Sequence, residues 1–258
     1  MGQIPARPAA TIVVIRNEDS VPEILMLRRN SSALSATGAH VFPGGGVDES
    51  DRDVVHRELL VGLDEAAARR RLHLPEDALA YYCAALRELF EEAGILLAVS
   101  GPRPSCVLNA TTVAVGRREL RSGDVSWAQF LIQEGLYLDL SGVAYLAHWV
   151  TPEGRARRFD TRFFVVRAPD GQIASPDDGE VVEHVWVSAA DALERHRRGE
   201  WALLYPTQRI LELLSSFANL DDVLAYAART EVVRVQPQEI DRDGVMIVVG
   251  PGDPGYRD

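Results

Sequence analysis

The stretch that most restricts the fold is PEDALAYYCAALRELFEEAGILL, residues 75–97. No Gly or Pro interrupts it between Pro75 and Gly94, so one long helix is predicted. Pro75 suits the first turn, where Glu76 and Asp77 would meet the positive end of the helix dipole. Gly94 suits the C-terminal cap. With Glu88 at the origin and about 100° per residue, Glu91 falls near roughly −60° and Glu92 near roughly +40°. Leu86, Leu89, Phe90 and Ala93 gather on the opposite side. Such a helix has to bury one face against another layer and leave an acidic stripe uncovered.

That stripe is costly. Like charges three and four residues apart repel, and the negative end of the helix dipole adds to the cost. A hard divalent cation with oxygen ligands relieves it. A lone E-x-x-E-E is usually a solvated face. Arg87 argues otherwise, because it adjoins Glu88, precedes Glu91 by four residues and can hold a carboxylate in place.

The surroundings supply the second layer. Residues 10–16 (ATIVVIR) and 23–29 (EILMLRR) read as paired strands joined by a polar turn. A short strand at residues 40–42 ends at Pro43, and FPGGGVDESD follows from Phe42. Residues 51–74 are charged and helix-friendly. Further strands are predicted at 143–150, 158–167 and 181–187, and helices at 189–198, 206–217 and 220–229. Residues 232–249 read as a hairpin split by DRDG. The elements interleave without a regular βαβ rhythm, which predicts an α/β chain of the α+β type with a mixed sheet covered on both faces.

Composition narrows the partners. The chain has 258 residues, 47% of them hydrophobic and 25% charged, which suits one main domain with additions. The formal charge is −11, so general nucleic-acid binding is not expected. No segment is apolar for long enough to span a membrane, and a cytoplasmic protein is expected. Every Lys/Arg position is Arg, which reads as genomic codon bias more than function, although Arg suits bidentate phosphate contacts. Cys83 and Cys106 read as small core thiols, not a disulfide scaffold. With no H-x-x-x-H and no Cys/His cluster, zinc is not expected. A homodimer is plausible by base rate alone.

Taken together, GGGVDESD and RELFEEAGI resemble the nudix box, a Gly and a Glu followed by R-E-U-x-E-E-x-G-U, where U is a bulky aliphatic residue. Arg87, Glu88, Leu89, Glu91, Glu92, Gly94 and Ile95 meet the second half; Gly45 meets the first, with Asp51 in the Glu position. Between Asp51 and Arg87 stand 35 residues, far more than the seven of the pattern. The surplus is an insertion over about residues 52–79, which a surface loop tolerates if its ends stay close. The peroxisomal-type coenzyme A diphosphatases carry such an insertion, and residues 38–45, 75–97, 157–164 and 217–227 resemble them as well.

The resemblance implies a nudix α/β/α sandwich over residues 1–230, with a helical insertion and added C-terminal helices, and an extension at 231–258. It implies metal-dependent hydrolysis of a nucleoside diphosphate-linked small molecule, with Mg²⁺ or Mn²⁺ as cofactor. Coenzyme A or acyl-coenzyme A is the first expected substrate, giving 3′,5′-ADP and a 4′-phosphopantetheine. ADP-ribose, NADH or a nucleotide sugar is the alternative, and a non-catalytic ligand-binding regulator is a further one. Glu88, Glu91 and Glu92 are the implied metal ligands, with a carbonyl of the glycine turn at Gly44, and Arg87 acts with them. Glu180 is the first candidate for general base, or a further metal ligand, and Glu183 its competitor. The coenzyme A motif of the family makes Arg29, Gly38, Phe42, Gly44 and Gly45 candidate substrate contacts, although Met26, Leu27, Asn30 and Leu34 depart from it. Arg158 and Arg162 are candidate phosphate contacts, with Asp160 as a structural partner.

Overall fold

The computed structural model describes residues 4–18, 21–30, 38–101, 110–175 and 181–257. The chain begins β1 (Arg7–Glu18), β2 (Val21–Arg29), β3 (His40–Val41) and β4 (Gly44–Gly46). Then come α1 (Glu49–His56), β5 (Leu60–Val61), α2 (Glu65–Leu72) and α3 (Ala78–Ala93). The middle holds β6 (Ala98–Ser100), α4 (Ala110–Ser122), α5 (Trp127–Glu134), β7 (Leu136–Asp139), β8 (Ala144–Val150), β9 (Phe159–Arg167) and β10 (Val181–Ser188). The chain closes with α6 (Ala189–Arg197), α7 (Tyr205–Leu214), α8 (Leu220–Arg229), β11 (Arg234–Val235), β12 (Gln238–Arg242) and β13 (Val245–Val249).

The main sheet runs β10-β2-β1-β9-β8-β11, with β3 beside β2 and β4 beside β1. It is mixed: β1 and β9 are parallel, while β1 pairs antiparallel with β2 and β4. β1 sits at its centre because its residues are apolar in both phases. Ile12 and Val14 join the core cluster of α3, while Val13 and Ile15 join that of α7 and α8. The result is an α/β/α sandwich, as expected.

The insertion is tied down at both ends. Its strand β5 pairs with β7, which pairs with β6, so the insertion and the middle of the chain share a second, three-stranded sheet. Its helix α2 also acts on α3. Helix α3 starts at Ala78, not in the turn after Pro75, because Asp77 takes a left-handed conformation (φ 58°) and gives no side-chain cap. Glu65 of α2 takes that role, accepting from the Ala78 and Leu79 N–H groups at 3.0 Å each. The carboxylate thus caps from outside a helix start that its own sequence leaves uncapped. Asp77 instead binds Arg52 of α1 at 2.8 Å.

The extension after residue 230 is not detached. β11 adds to the main sheet beside β8, and β12 and β13 form the expected hairpin. Among the described residues no helix is long and apolar enough to cross a membrane. Cys83 is buried on α3, as expected of a core thiol, and Cys106 lies outside the described residues.

Candidate active site

The separated halves of the motif meet around Arg87. Asp51 lies on α1 and is fully buried. Arg87 Nε and Nη2 grip its two oxygens at 2.9 and 3.1 Å. Arg87 Nη2 also donates to the Gly46 carbonyl at 2.8 Å, and Nη1 to Glu88 at 2.8 Å and, more weakly, to Glu91 at 3.5 Å. The guanidinium therefore spends its donors on both halves at once. Asp51 is fixed in turn by a reciprocal capping box with Asp48, whose N–H donates to Asp51 at 3.0 Å. Burial pushes the Asp51 carboxyl up to about 6, against the pull of Arg87. Burial alone would lower the Arg87 pKa, but Asp51, Glu88 and Glu91 outweigh it and hold it above its ordinary value.

The glycine strand β4 lies against the acidic face of α3. A Cβ at Gly45 would stand 2.3 Å from Glu88 Oε1, and one at Gly44 would stand 2.5 Å from Thr11 Oγ1. At Gly44 the Ala10 carbonyl oxygen, 2.7 Å from that Cβ, makes glycine a requirement, while at Gly45 a side chain would displace the Glu88 carboxylate. The Gly44 N–H leaves the sheet ladder and donates to Glu92 at 3.0 Å. Glu92 is 5% exposed, and Arg29 Nη2 lies 3.9 Å from its other oxygen. Burial raises the pKa of Glu88 and of Glu91, with Arg87 opposing it in each case.

Oxygen donors alone line this face, which suits a hard divalent ion and not zinc. Among the described residues no three acidic, His or Cys side chains already converge as a ligand set. Glu88 and Glu91 are turned to Arg87, and Glu92 to Gly44. The donor chemistry fits a hard divalent cation, because a dication would relieve the charge that burial makes costly on Glu88 and Glu91.

Arg117 was not foreseen. It lies on α4, a helix absent from the sequence reading, and is 5% exposed. Its Nε and Nη2 both donate to the Glu91 carbonyl, at 2.9 and 2.8 Å, and Nη1 donates to Ser175 at 2.9 Å. A cation thus closes the C-terminal end of α3 directly beneath the glutamates. Replacing Arg117 with Met is expected to lower stability by about 1.5–3 kcal/mol, read from urea melts. A loss below about 0.5 kcal/mol, the range of ordinary surface changes, would show that the cap is immaterial.

A cavity of about 460 Å³ adjoins the site. Arg29, Phe42, Gly44 and Gly45 line it, so four of the residues expected to touch substrate come together there. Gly44 and Gly45 form the border between cavity and glutamates. The other wall holds Trp149, Phe159, Thr161, Phe163 and Tyr205. Gly38 takes a left-handed φ of 68° outside the lining. Arg158 and Arg162, the candidate phosphate contacts, are not among the residues that line this cavity. Arg158 holds the carbonyls of Ile4, Thr151 and Pro152. Arg162 pairs with Asp160 at 3.1 Å and stacks on Tyr81 at 4.3 Å, on the α3 side of the sheet. Asp160 is the structural partner that was expected, and it also binds His148 at 2.6 Å. Glu183 is exposed on β10 and bonds Arg28 at 2.8 Å. Glu180 and Leu34 lie outside the described residues.

A family model described as the NUDT19 Nudix domain matches residues 63–213, more than half of the chain. The chain belongs to that family. The second half of the motif, from Arg87 to Ile95, lies within the matched residues, and Gly45 and Asp51 precede them. The acyl-coenzyme A diphosphatase NUDT19 of Gallus gallus is 30% identical over 246 residues, covering 80% of this chain and 64% of that protein. Its Homo sapiens counterpart is also 30% identical, over 237 residues, covering 78% of this chain and 62% of that protein. The chain thus spans less than two thirds of the length of these NUDT19 relatives. The crystal structure of a NUDIX hydrolase from Alicyclobacillus acidocaldarius superposes with a TM-score of 0.73 at 28% identity, covering 86% of this chain and 96% of that one. The Nudix fold is shared across nearly the whole of that relative.

Proposed function

We propose that the chain is a divalent-metal-dependent diphosphatase that cleaves coenzyme A or acyl-coenzyme A to 3′,5′-ADP and 4′-phosphopantetheine or its acyl form. The observation that carries the reading is the assembled box: Arg87 joins Asp51 to Glu88 and Glu91 across the insertion, beside a cavity bordered by Gly44, Gly45 and Arg29. The printed names of the relatives from Gallus gallus and Homo sapiens support the choice of substrate.

Glu88, Glu91 and Glu92, with a carbonyl of the glycine turn at Gly44, would hold Mg²⁺ or Mn²⁺. Bound there, the metal would neutralise charge on the diphosphate and lower the pKa of a water molecule. Arg87 orients Glu88 and Glu91, and Asp51 orients Arg87. Arg29 stands at the border where an anionic group passes from the cavity to the glutamates. Hydrolysis adds water across one phosphoanhydride bond; the oxygen joins one phosphorus and the other phosphate leaves. Glu180 is assigned as the base that takes the water's proton. A cytoplasmic location and a homodimer belong to the same proposal.

The test is a substrate panel with each metal, containing coenzyme A, acetyl-coenzyme A, ADP-ribose and NADH, with products separated by chromatography. The expected product is 3′,5′-ADP, with the highest kcat/KM on the coenzyme A compounds. Cleavage of no diphosphate, or a higher kcat/KM on ADP-ribose or NADH, overturns the reading. Metal binding has its own readout. At a hundredfold excess over its Kd, Mg²⁺ or Mn²⁺ would stabilise the fold by about 2.7 kcal/mol. The melting temperature of the wild type should rise accordingly, and that of Glu92→Gln much less.

A further inference from the structure

We propose that the C-terminal segment, residues 234–257, is a specificity element of the cavity that selects the uncharged arm carried on the diphosphate. The inference rests on the diphosphatase reading for its ligand, but its geometry is independent of it. The family match ends at residue 213, so this wall lies beyond the matched part of the chain.

Three connections place the segment in the site. β11 adds to the sheet edge with Val235 opposite Trp149, a residue of the cavity wall. Pro237 follows and lines the cavity. In the hairpin, Glu239 pairs with Val248 across the strands, so both side chains share one face. That face is turned to the cavity, since both residues line it. Glu239 also forms an ion pair with Arg155, on the loop between β8 and β9 that lines the cavity too.

The tail then fixes the aromatic wall. The Tyr205 hydroxyl donates to Asp253, and the Gly250 N–H donates to the same carboxylate at 3.0 Å. A Cβ at Gly250 would stand 2.5 Å from the Tyr205 hydroxyl oxygen, so this close approach requires glycine. Tyr205 in turn meets Trp149 edge-on at 5.8 Å and 81°. Asp253 is therefore a positioning residue for two rings of the wall.

The chemistry of this wall selects the arm. Trp149, Tyr205, Pro237 and Val248 present apolar surface. The one carboxylate they add, Glu239, already occupies Arg155. The apolar surface of this wall suits an uncharged amide-and-thiol arm, while the cations that line the same cavity, Arg29, Arg155 and Arg157, suit the phosphates.

The test compares two ligands on metal-free protein by calorimetry: coenzyme A, and 3′,5′-ADP, which lacks the arm. Val248→Trp fills the cavity from the hairpin side. It should weaken coenzyme A by about tenfold or more, the scale of a pocket losing methylene-sized space, and leave 3′,5′-ADP within about twofold. Asp253→Ala should shift the same ratio in the same direction without touching the lining, and thermal melts establish that both variants fold. In turnover, KM for coenzyme A should rise with kcat retained. Equal weakening of both ligands, or of neither, overturns the wall. If the wild type binds coenzyme A but cleaves nothing, the diphosphatase reading fails alone and the affinity ratio still judges the wall. If the wild type binds neither compound, both fall.

Discussion

Replacing Asp51 with Ala is expected to destabilise the protein by about 3–5 kcal/mol, the cost of breaking a buried ion pair from one side. Asp51 is fully buried and 36 positions from Arg87 in the chain, yet both its oxygens are held by that guanidinium. The substitution strands Arg87 Nε and one Nη2 donor in a site that water scarcely reaches. The guanidinium cannot escape by losing its proton, because arginine stays protonated in proteins. The same change removes the acceptor for the Asp48 N–H and so undoes half of the capping box that starts α1. Urea unfolding measures the loss, and an effect below about 1 kcal/mol would mean the pair is immaterial to folding. Asp51→Asn should cost less, because it keeps the shape and one acceptor. Asp51 therefore differs from the glutamates: its main consequence falls on folding, through the position of Arg87.

The sheet and the acidic helix were legible because their signals are local. β1 alternates two apolar sets at a period of two, and α3 separates its charged and apolar faces at a period of 3.6. Asp51 was legible only as a doubt about the spacing of the box, since nothing local says whether an insertion closes on itself. The start of α3 was misread because Pro75 and two acids suggest a first turn, whereas Glu65 from another helix fixes the true start at Ala78. Arg117 has no local signal at all. Its partner is a backbone carbonyl 26 positions away, reached from a helix with few buried apolar residues. The placement of Arg162 was available in principle. In β9, Phe159, Thr161 and Phe163 line the cavity, so alternation puts Asp160 and Arg162 on the opposite face. The cavity wall drawn from residues 237–248 was not available, because a short parallel strand such as β11 and the docking of a hairpin depend on surfaces far away in sequence.

Replacing Glu92 with Gln should do the reverse of Asp51→Ala, leaving the fold intact and removing turnover. The side chain keeps its volume, and the amide oxygen can still accept from the Gly44 N–H, which the carboxylate now accepts at 3.0 Å. What disappears is one negative charge from a face crowded with Glu88 and Glu91, where burial already makes ionisation costly. Stability should therefore change by less than about 1 kcal/mol in either direction, the range of a shape-preserving exchange. Turnover should fall much further. A carboxylate that helps to hold a metal against a reacting diphosphate contributes several kcal/mol to the transition state. Each 1.36 kcal/mol is a factor of ten, so kcat should drop by about 10²–10³. On the proposed reading the loss should appear in kcat more than in KM, because the missing charge would act where the diphosphate reacts and not where the arm would lie in the cavity. A variant that melts like the wild type and turns over within about threefold of it would differ by less than ~1 kcal/mol in the barrier, and would remove Glu92 from the chemistry.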